Sequence, residues 1–281
     1  MTEQVLRPPE QGEARTRVRL YRTPAIVLRR SDFGEADRLL TVLTPGMGKL
    51  RLLAKGVRRP TSRKAGHLEL FTHVHLLVAE GRNLDLISQA ETIQTFRPLQ
   101  EDLLRAGHAY YVAELVDRFA QEELENPDLF ALFRETLANL AESPNLPLTT
   151  LYFELHLLGV TGYQPQLYRC ARCHATLEPV TNWFAPGDGG VACPRCSEGQ
   201  PGMFPMSLPA FKVLRFLQTR PYEVVIRLRL SAPVMAEVED LLQRYLEYHL
   251  ERRLESAGFL RRLRVPTLAG KREQERNESL K

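Results

Sequence analysis

From Arg17 to about Phe96 the apolar residues come in brief runs rich in Val, Leu and Ile, each ended or interrupted by Gly, Pro, Asp or Asn. Such runs predict strands. They fall at Val18–Arg30 (interrupted at Pro24), Arg38–Thr44, Lys49–Lys55, Val74–Glu80 and Leu84–Glu91, with Pro45-Gly46 and Gly81-Arg82-Asn83 as turns. Five strands at this spacing predict a small closed barrel. Beyond Pro98 the period becomes helical. Leu104, Tyr111, Leu115 and Phe119 share one face, and Phe130, Phe133, Leu137 and Leu140 share another after an Asn126-Pro127-Asp128 start; Leu151, Leu155 and Leu158 begin a third helix after Pro144. Ser207-Leu208-Pro209 and Ser231-Ala232-Pro233 read as two further helix starts, the second followed by Val234, Val238, Leu241, Tyr245 and Tyr248 as a core stripe.

The chain's four cysteines form Cys170-x-x-Cys173 and Cys193-x-x-Cys196. Two CxxC pairs at this separation predict one tetrahedral zinc site of the ribbon type, each pair turning two thiolates toward the same ion, with Pro186-Gly187-Asp188-Gly189-Gly190 as the turn of a hairpin beneath it. Four thiolates leave no open coordination position, which favours structural over catalytic zinc and makes His174 a bystander. A redox dithiol pair is the competing reading.

These patterns give an α+β multidomain chain: a loose tail over 1–16, a five-stranded barrel over 17–96, a helical domain over 97–169 and 205–264, a four-cysteine zinc insertion over 170–204, and a charged, disordered tail over 265–281. The N-terminus carries arginines without an apolar h-region, and no run approaches the ~20 apolar residues of a membrane span, so a cytoplasmic protein with reduced cysteines is expected.

Charge adds a division that the net value of +4 conceals. Residues 1–100 hold 17 Lys and Arg against 10 Asp and Glu, whereas residues 101–169 hold 4 against 11. A basic barrel joined to an acidic helical segment predicts a polyanion on one side and a different partner on the other. The candidate phosphate contacts are Arg29, Arg30, Arg38, Lys49, Arg51, Lys55, Arg58, Arg59, Arg63 and Lys64, with Tyr21, Phe33 and Phe71 interleaved. Small barrels of the OB-fold commonly bind single strands, combining cations with base stacking. The sequence has no GxxxxGK[ST], GxGxxG or HExxH motif, and the pairs Glu101-Asp102 and Glu122-Glu123 read as solvated faces of a helix, so no enzyme site is predicted.

Gly34-Glu35, Asp37-Arg38-Leu39-Leu40, Thr44, Gly48, Ala54-Lys55-Gly56-Val57-Arg58 and Ser62 resemble the opening of the bacterial recombination mediator RecO family, and Ser256-Ala257-Gly258-Phe259-Leu260 resembles its close. The resemblance implies an N-terminal OB-fold that binds single- and double-stranded DNA, then a helical domain carrying the zinc site. It implies strand annealing without bond-breaking catalysis, cooperation with RecR, and loading of RecA onto DNA covered by single-strand-binding protein. It also implies a groove for the C-terminal tail of that protein, for which Arg215 and Arg227 are candidate contacts, and a place at the bacterial nucleoid. The alternatives are a zinc-ribbon RNA-binding protein and a nuclease with the ribbon as an accessory domain.

Overall fold

The computed structural model describes residues 19–260, 262 and 263. The expected tails over 1–16 and 265–281 lie outside the described residues. The chain begins with β1 (Leu20–Phe33), β2 (Asp37–Thr44), β3 (Gly48–Ala54), β4 (His73–Ala79) and β5 (Asp85–Gln94), which close into a barrel in the order β1-β2-β3-β5-β4. All pairings are antiparallel except β3 with β5, where Leu52 and Leu53 meet Asp85 and Leu86. This is an OB-type barrel, filled by Ala25, Val27, Leu40, Val42, Leu52, Val74, Leu76 and Val78.

β1 is one continuous strand, a correction to the interruption expected at Pro24. Its first half pairs with β4 and its second half with β2, the change falling at Ile26. Pro24 lies opposite His75 in the half that β2 does not reach, an edge position where a missing N–H leaves no ladder bond unmade.

The outer face of the barrel docks on the helices. Ile26, Leu28, Leu43 and Phe71 are at most 5% exposed and join a core that runs on into α2 (Leu103–Phe119) and α3 (Pro127–Glu142). Each such side chain contributes roughly 1.5–3 kcal/mol to the seam. Lys49 ties the same seam together: its ammonium lies 3.3 Å from the Asp117 carboxylate, and its backbone exchanges hydrogen bonds with Gln121 and Glu123. Glu122 and Glu123 therefore lie on a connecting segment paired to β3, not on a helix as expected. Glu101 closes α1 (Pro98–Glu101), and Asp102 breaks the helix and caps α2 by accepting from the Arg105 N–H.

Gly48 sits in this seam at φ +61°, and a Cβ there would lie 2.1 Å from the Leu124 carbonyl oxygen. Gly48→Ala should therefore cost about 2 kcal/mol or more, read as a lower melting temperature. His73 sits there too. It is buried edge-on to Phe130 at 5.6 Å, and neither ring nitrogen has a hydrogen-bond partner among the described residues. Burial, aided by the charges of Arg134 and His75, pushes its imidazole below the ordinary value of 6.5. The folded state thus holds it neutral. Its contribution is complete above the unfolded value and is lost as pH falls below 6.5 toward the folded value. The melting temperature should drop from pH 8 to pH 5, and His73→Leu should shrink that drop; an unchanged drop would remove His73 from the acid response.

α4 (Leu146–Val160) is buried nearly all round and forms the centre of the helical domain, as an apolar helix without a polar face must. After the cysteine region, α6 (Leu208–Thr219), the short α7 (Tyr222–Val225) and α8 (Ala232–Leu250) pack around it. α8 buries Val238, Leu241, Leu242, Tyr245 and Leu246, but Tyr248 is 54% exposed, a correction to the expected core stripe. A helix over 255–260 follows; its first N–H groups, at Glu255 and Ser256, donate to the Glu114 carboxylate of α2, tying the close of the chain to its centre. Among the described residues no helix is long and apolar enough to cross a membrane.

Candidate nucleic-acid interface and metal centre

The residues of the opening motif hold one another. The Asp37 carboxylate accepts from the Gly56 N–H at 2.7 Å, and the Arg58 N–H donates to the Ala36 carbonyl at 2.9 Å, clamping the loop after β3 onto the β1–β2 turn. Gly34 and Gly56 both take the left-handed conformation that these turns require.

The structure divides the ten candidate cations. Arg30, Arg38 and Arg58 share two carboxylates: Arg30 and Arg38 pair with Glu69, while Arg38 and Arg58 pair with Asp32. Their excess charge is much reduced. Lys49 is spent on Asp117 and has only 14% of its side chain exposed, so it faces the seam and not the free surface. Lys64 donates to the Ile87 carbonyl at 2.8 Å, and burial lowers its ammonium below the ordinary lysine range. Arg29, Arg51, Lys55, Arg59 and Arg63 are exposed and take part in no ion pair among the described residues.

Register places two of these five together. Arg29 of β1 lies opposite Thr41 of β2, which lies opposite Arg51 of β3. Residues in one cross-strand row project to one face, so the two guanidinium stems rise about 10 Å apart, two strand spacings, on the outer β1–β2–β3 wall. Lys55 lies just past the end of β3, two residues beyond Leu53, and Arg59 lies on the clamped loop. Phe33 stands 49% exposed at the β1–β2 turn. Tyr21 donates its hydroxyl to Asp85 at 2.7 Å, and Phe71 is buried edge-on to Tyr110, so of the three interleaved aromatics Phe33 alone offers an open face at this wall. The strand 2–3 face and adjoining loops of this barrel type are where oligonucleotides dock.

The four cysteines converge. Their sulfurs lie within 4.8 Å of one another, with Cys173 and Cys193 at 3.9 Å. A tetrahedron with metal–sulfur bonds of about 2.3 Å has edges of about 3.8 Å, so this donor set fits one ion. The strands β6 (Asn182–Ala185) and β7 (Gly190–Ala192) form the expected hairpin, with Pro186–Asp188 turning between them, and β8 (Phe204–Met206) adds a third strand beside β6. Cys193 leads into the short α5 (Pro194–Ser197), and its N–H donates to the Cys170 sulfur at 3.3 Å. Burial opposes ionisation of Cys170, but the backbone N–H groups of Cys173, Cys193 and Arg172 outweigh it and lower the thiol to about 6. His174 is exposed and stands outside the cluster.

Arg215, a candidate contact for a partner's tail, is half-buried and serves as an internal strut. Its guanidinium donates to the Leu167 carbonyl at 2.8 Å and lies over Phe211 and Tyr168, fastening the cysteine region to α6. Arg227 is exposed. Reading along the chain missed Arg22 and His75, which strand pairing brings to the opposite barrel wall, and His67, which the loop after β3 carries to the same wall by its contact with Thr92; the only signal was the basic and polar alternation of the flanking strands.

Fold and site define a class: an OB-type barrel with exposed cations, docked on a helical domain that carries a four-cysteine cluster able to hold a metal ion. Residues 18–96 match the family described as Recombination protein O N terminal, and residues 100–257 match Recombination protein O C terminal. The chain belongs to the Recombination protein O family. A DNA repair protein RecO of Roseiflexus sp. (strain RS-1) is 50% identical over 244 residues, covering 87% of this chain and 86% of the relative. Those of Dehalococcoides mccartyi (strain ATCC BAA-2266 / KCTC 15142 / 195) and Desulforudis audaxviator (strain MP104C) are each 39% identical, over 83% and 87% of this chain and 91% and 98% of their own lengths.

Proposed function

We propose that this chain is a non-enzymatic recombination mediator in DNA repair. It binds single- and double-stranded DNA through the barrel, anneals complementary strands and, with RecR, helps load RecA onto DNA covered by single-strand-binding protein. The observation that carries this reading is the uncompensated row Arg29–Arg51, extended by Lys55 and Arg59, on the barrel of a Recombination protein O family member. Phosphates held this way lend affinity without sequence preference, and Phe33 supplies a stacking face. Strands repel each other. A cationic wall that holds DNA with moderate affinity screens that repulsion without burying the bases that must pair.

The helical domain takes the C-terminal tail of single-strand-binding protein, and the protein works in the bacterial cytoplasm at the nucleoid. One structural zinc ion sits on Cys170, Cys173, Cys193 and Cys196. Its role is to hold the β6–β7–β8 sheet against α6 and α8, since the four thiolates that bind it leave no position for substrate. The testing experiment is binding and annealing of matched DNA and RNA oligonucleotides by the wild type and an Arg29→Ala/Arg51→Ala/Lys55→Ala/Arg59→Ala variant. Preference for RNA would replace this reading with the RNA-binding one.

A further inference from the structure

A second basic surface lies on the other side of the barrel. The loop leaving β3 crosses the outer edge of β5, which pairs with β3 only at Asp85 and Leu86. Two side chains fasten that loop to the edge: Lys64 donates to the Ile87 carbonyl at 2.8 Å, and the Thr92 N–H donates to His67 Nδ1 at 3.3 Å. Between these fastenings Ser88, Gln89 and Glu91 are exposed, and the space is a groove of about 710 Å³. Its walls bring Arg22 from β1, His75 from β4, and Arg63, Lys64 and His67 from the loop, against the one carboxylate of Glu91. Arg22 and Arg63 take part in no ion pair among the described residues. Register confirms the wall: Arg22, Leu77 and Gln89 form one row, and Pro24, His75 and Glu91 the next. In a barrel ordered β1-β2-β3-β5-β4, the β4–β5 side faces away from the β2–β3 side that carries Arg51.

We propose that this groove is a second strand-binding site, taking the sugar-phosphate backbone of one single strand while the Arg29–Arg51 row holds another. The inference rests on the DNA-binding reading above and adds to it a reason for annealing. Two strands on one molecule meet at an effective concentration set by the tether, commonly millimolar, with cations between them in place of bare repulsion. A cationic groove with an uncovered strand edge also suits an extended acidic peptide, but cations set apart on both walls, Arg22 on one and Arg63 and Lys64 on the other, favour a long, evenly charged backbone.

The test uses the full chain with two non-complementary oligonucleotides, thymidine and cytidine runs of about eight nucleotides each, within the span of one OB-fold. Native mass spectrometry reads how many strands one chain carries. Wild type should form the ternary complex of chain, thymidine run and cytidine run. Arg22→Glu/His75→Glu, at two exposed positions, should keep one strand and lose the ternary complex, with annealing slowed about tenfold or more. Arg29→Ala/Arg51→Ala should also be limited to one strand, the one held in the groove. Ternary complexes at the wild-type level in the groove variant, or a groove that takes a glutamate-rich peptide and no second oligonucleotide, would overturn the proposal while leaving row-dependent DNA binding intact. No oligonucleotide bound by wild type would instead overturn the DNA-binding reading itself.

Discussion

Cys170→Ser is expected to release the metal ion and lower the melting temperature by roughly 10 °C, while single-strand binding by the folded protein keeps its wild-type affinity. Cys170 is fully buried and already accepts the Cys193 N–H, so serine loses a thiolate from the most enclosed corner of the cluster. Structural zinc in small modules supplies roughly 10–16 kcal/mol of apparent binding free energy, and losing a metal is among the few single changes that cost more than about 4 kcal/mol. At roughly 2–4 °C per kcal/mol for domains of this size, a shift near 10 °C follows. The loss should reach the helical core, because Phe184 of β6 packs on Tyr245 of α8 at 5.3 Å and Arg215 bridges the cysteine region to α6. Zinc release to a chromophoric chelator, followed by calorimetry, reads both effects. His174→Ala should retain zinc. A Cys170→Ser protein with normal stability and lost DNA binding would place the cluster in the interface instead.

The second large effect belongs to the barrel wall. Replacing Arg29, Arg51, Lys55 and Arg59 with alanine in a chain that also carries Arg22→Glu/His75→Glu should weaken single-strand binding at the row roughly a hundredfold at low salt, on the order of 0.7 kcal/mol per contact. More diagnostic is the salt dependence. Each phosphate contact contributes about 0.7 to the slope of log K against log salt for single strands, so four lost contacts should flatten it by about 3. Replacing Arg30, Arg38 and Arg58 should flatten the slope less, since Asp32 and Glu69 already neutralise part of their charge. Melting temperature separates the two sets, because among the described residues the first has no ion pairs to lose.

How far the sequence carried depends on how local each signal is. The two CxxC pairs were legible because spacing alone aims four sulfurs at one point, and the barrel strands because alternation and turn residues mark each one separately. Lys49 was misplaced for the opposite reason. Its lysine reads as one more surface cation until the chain returns at Asp117, and the carboxylates that quench Arg30 and Arg38 include Glu69, on a different segment. Pro24 looked like a strand break because its missing N–H matters only if a neighbour needs it, and the neighbour's reach is a tertiary fact. Tyr248 kept the helical step of its stripe yet turned outward once Leu242 and Leu246 filled the buried face of α8. Composition supplied the excess positive charge; only register shows which cations share a wall.

If the Arg29–Arg51 row brings DNA strands together as proposed, its cations must govern annealing. Annealing of complementary oligonucleotides coated with single-strand-binding protein, followed by fluorescence at low and high salt, tests it most directly. Annealing by the wild type should be salt-sensitive and should collapse in the Arg29, Arg51, Lys55 and Arg59 alanine variant at unchanged thermal stability. Wild-type annealing that persists in that variant, or that ignores salt, would contradict it.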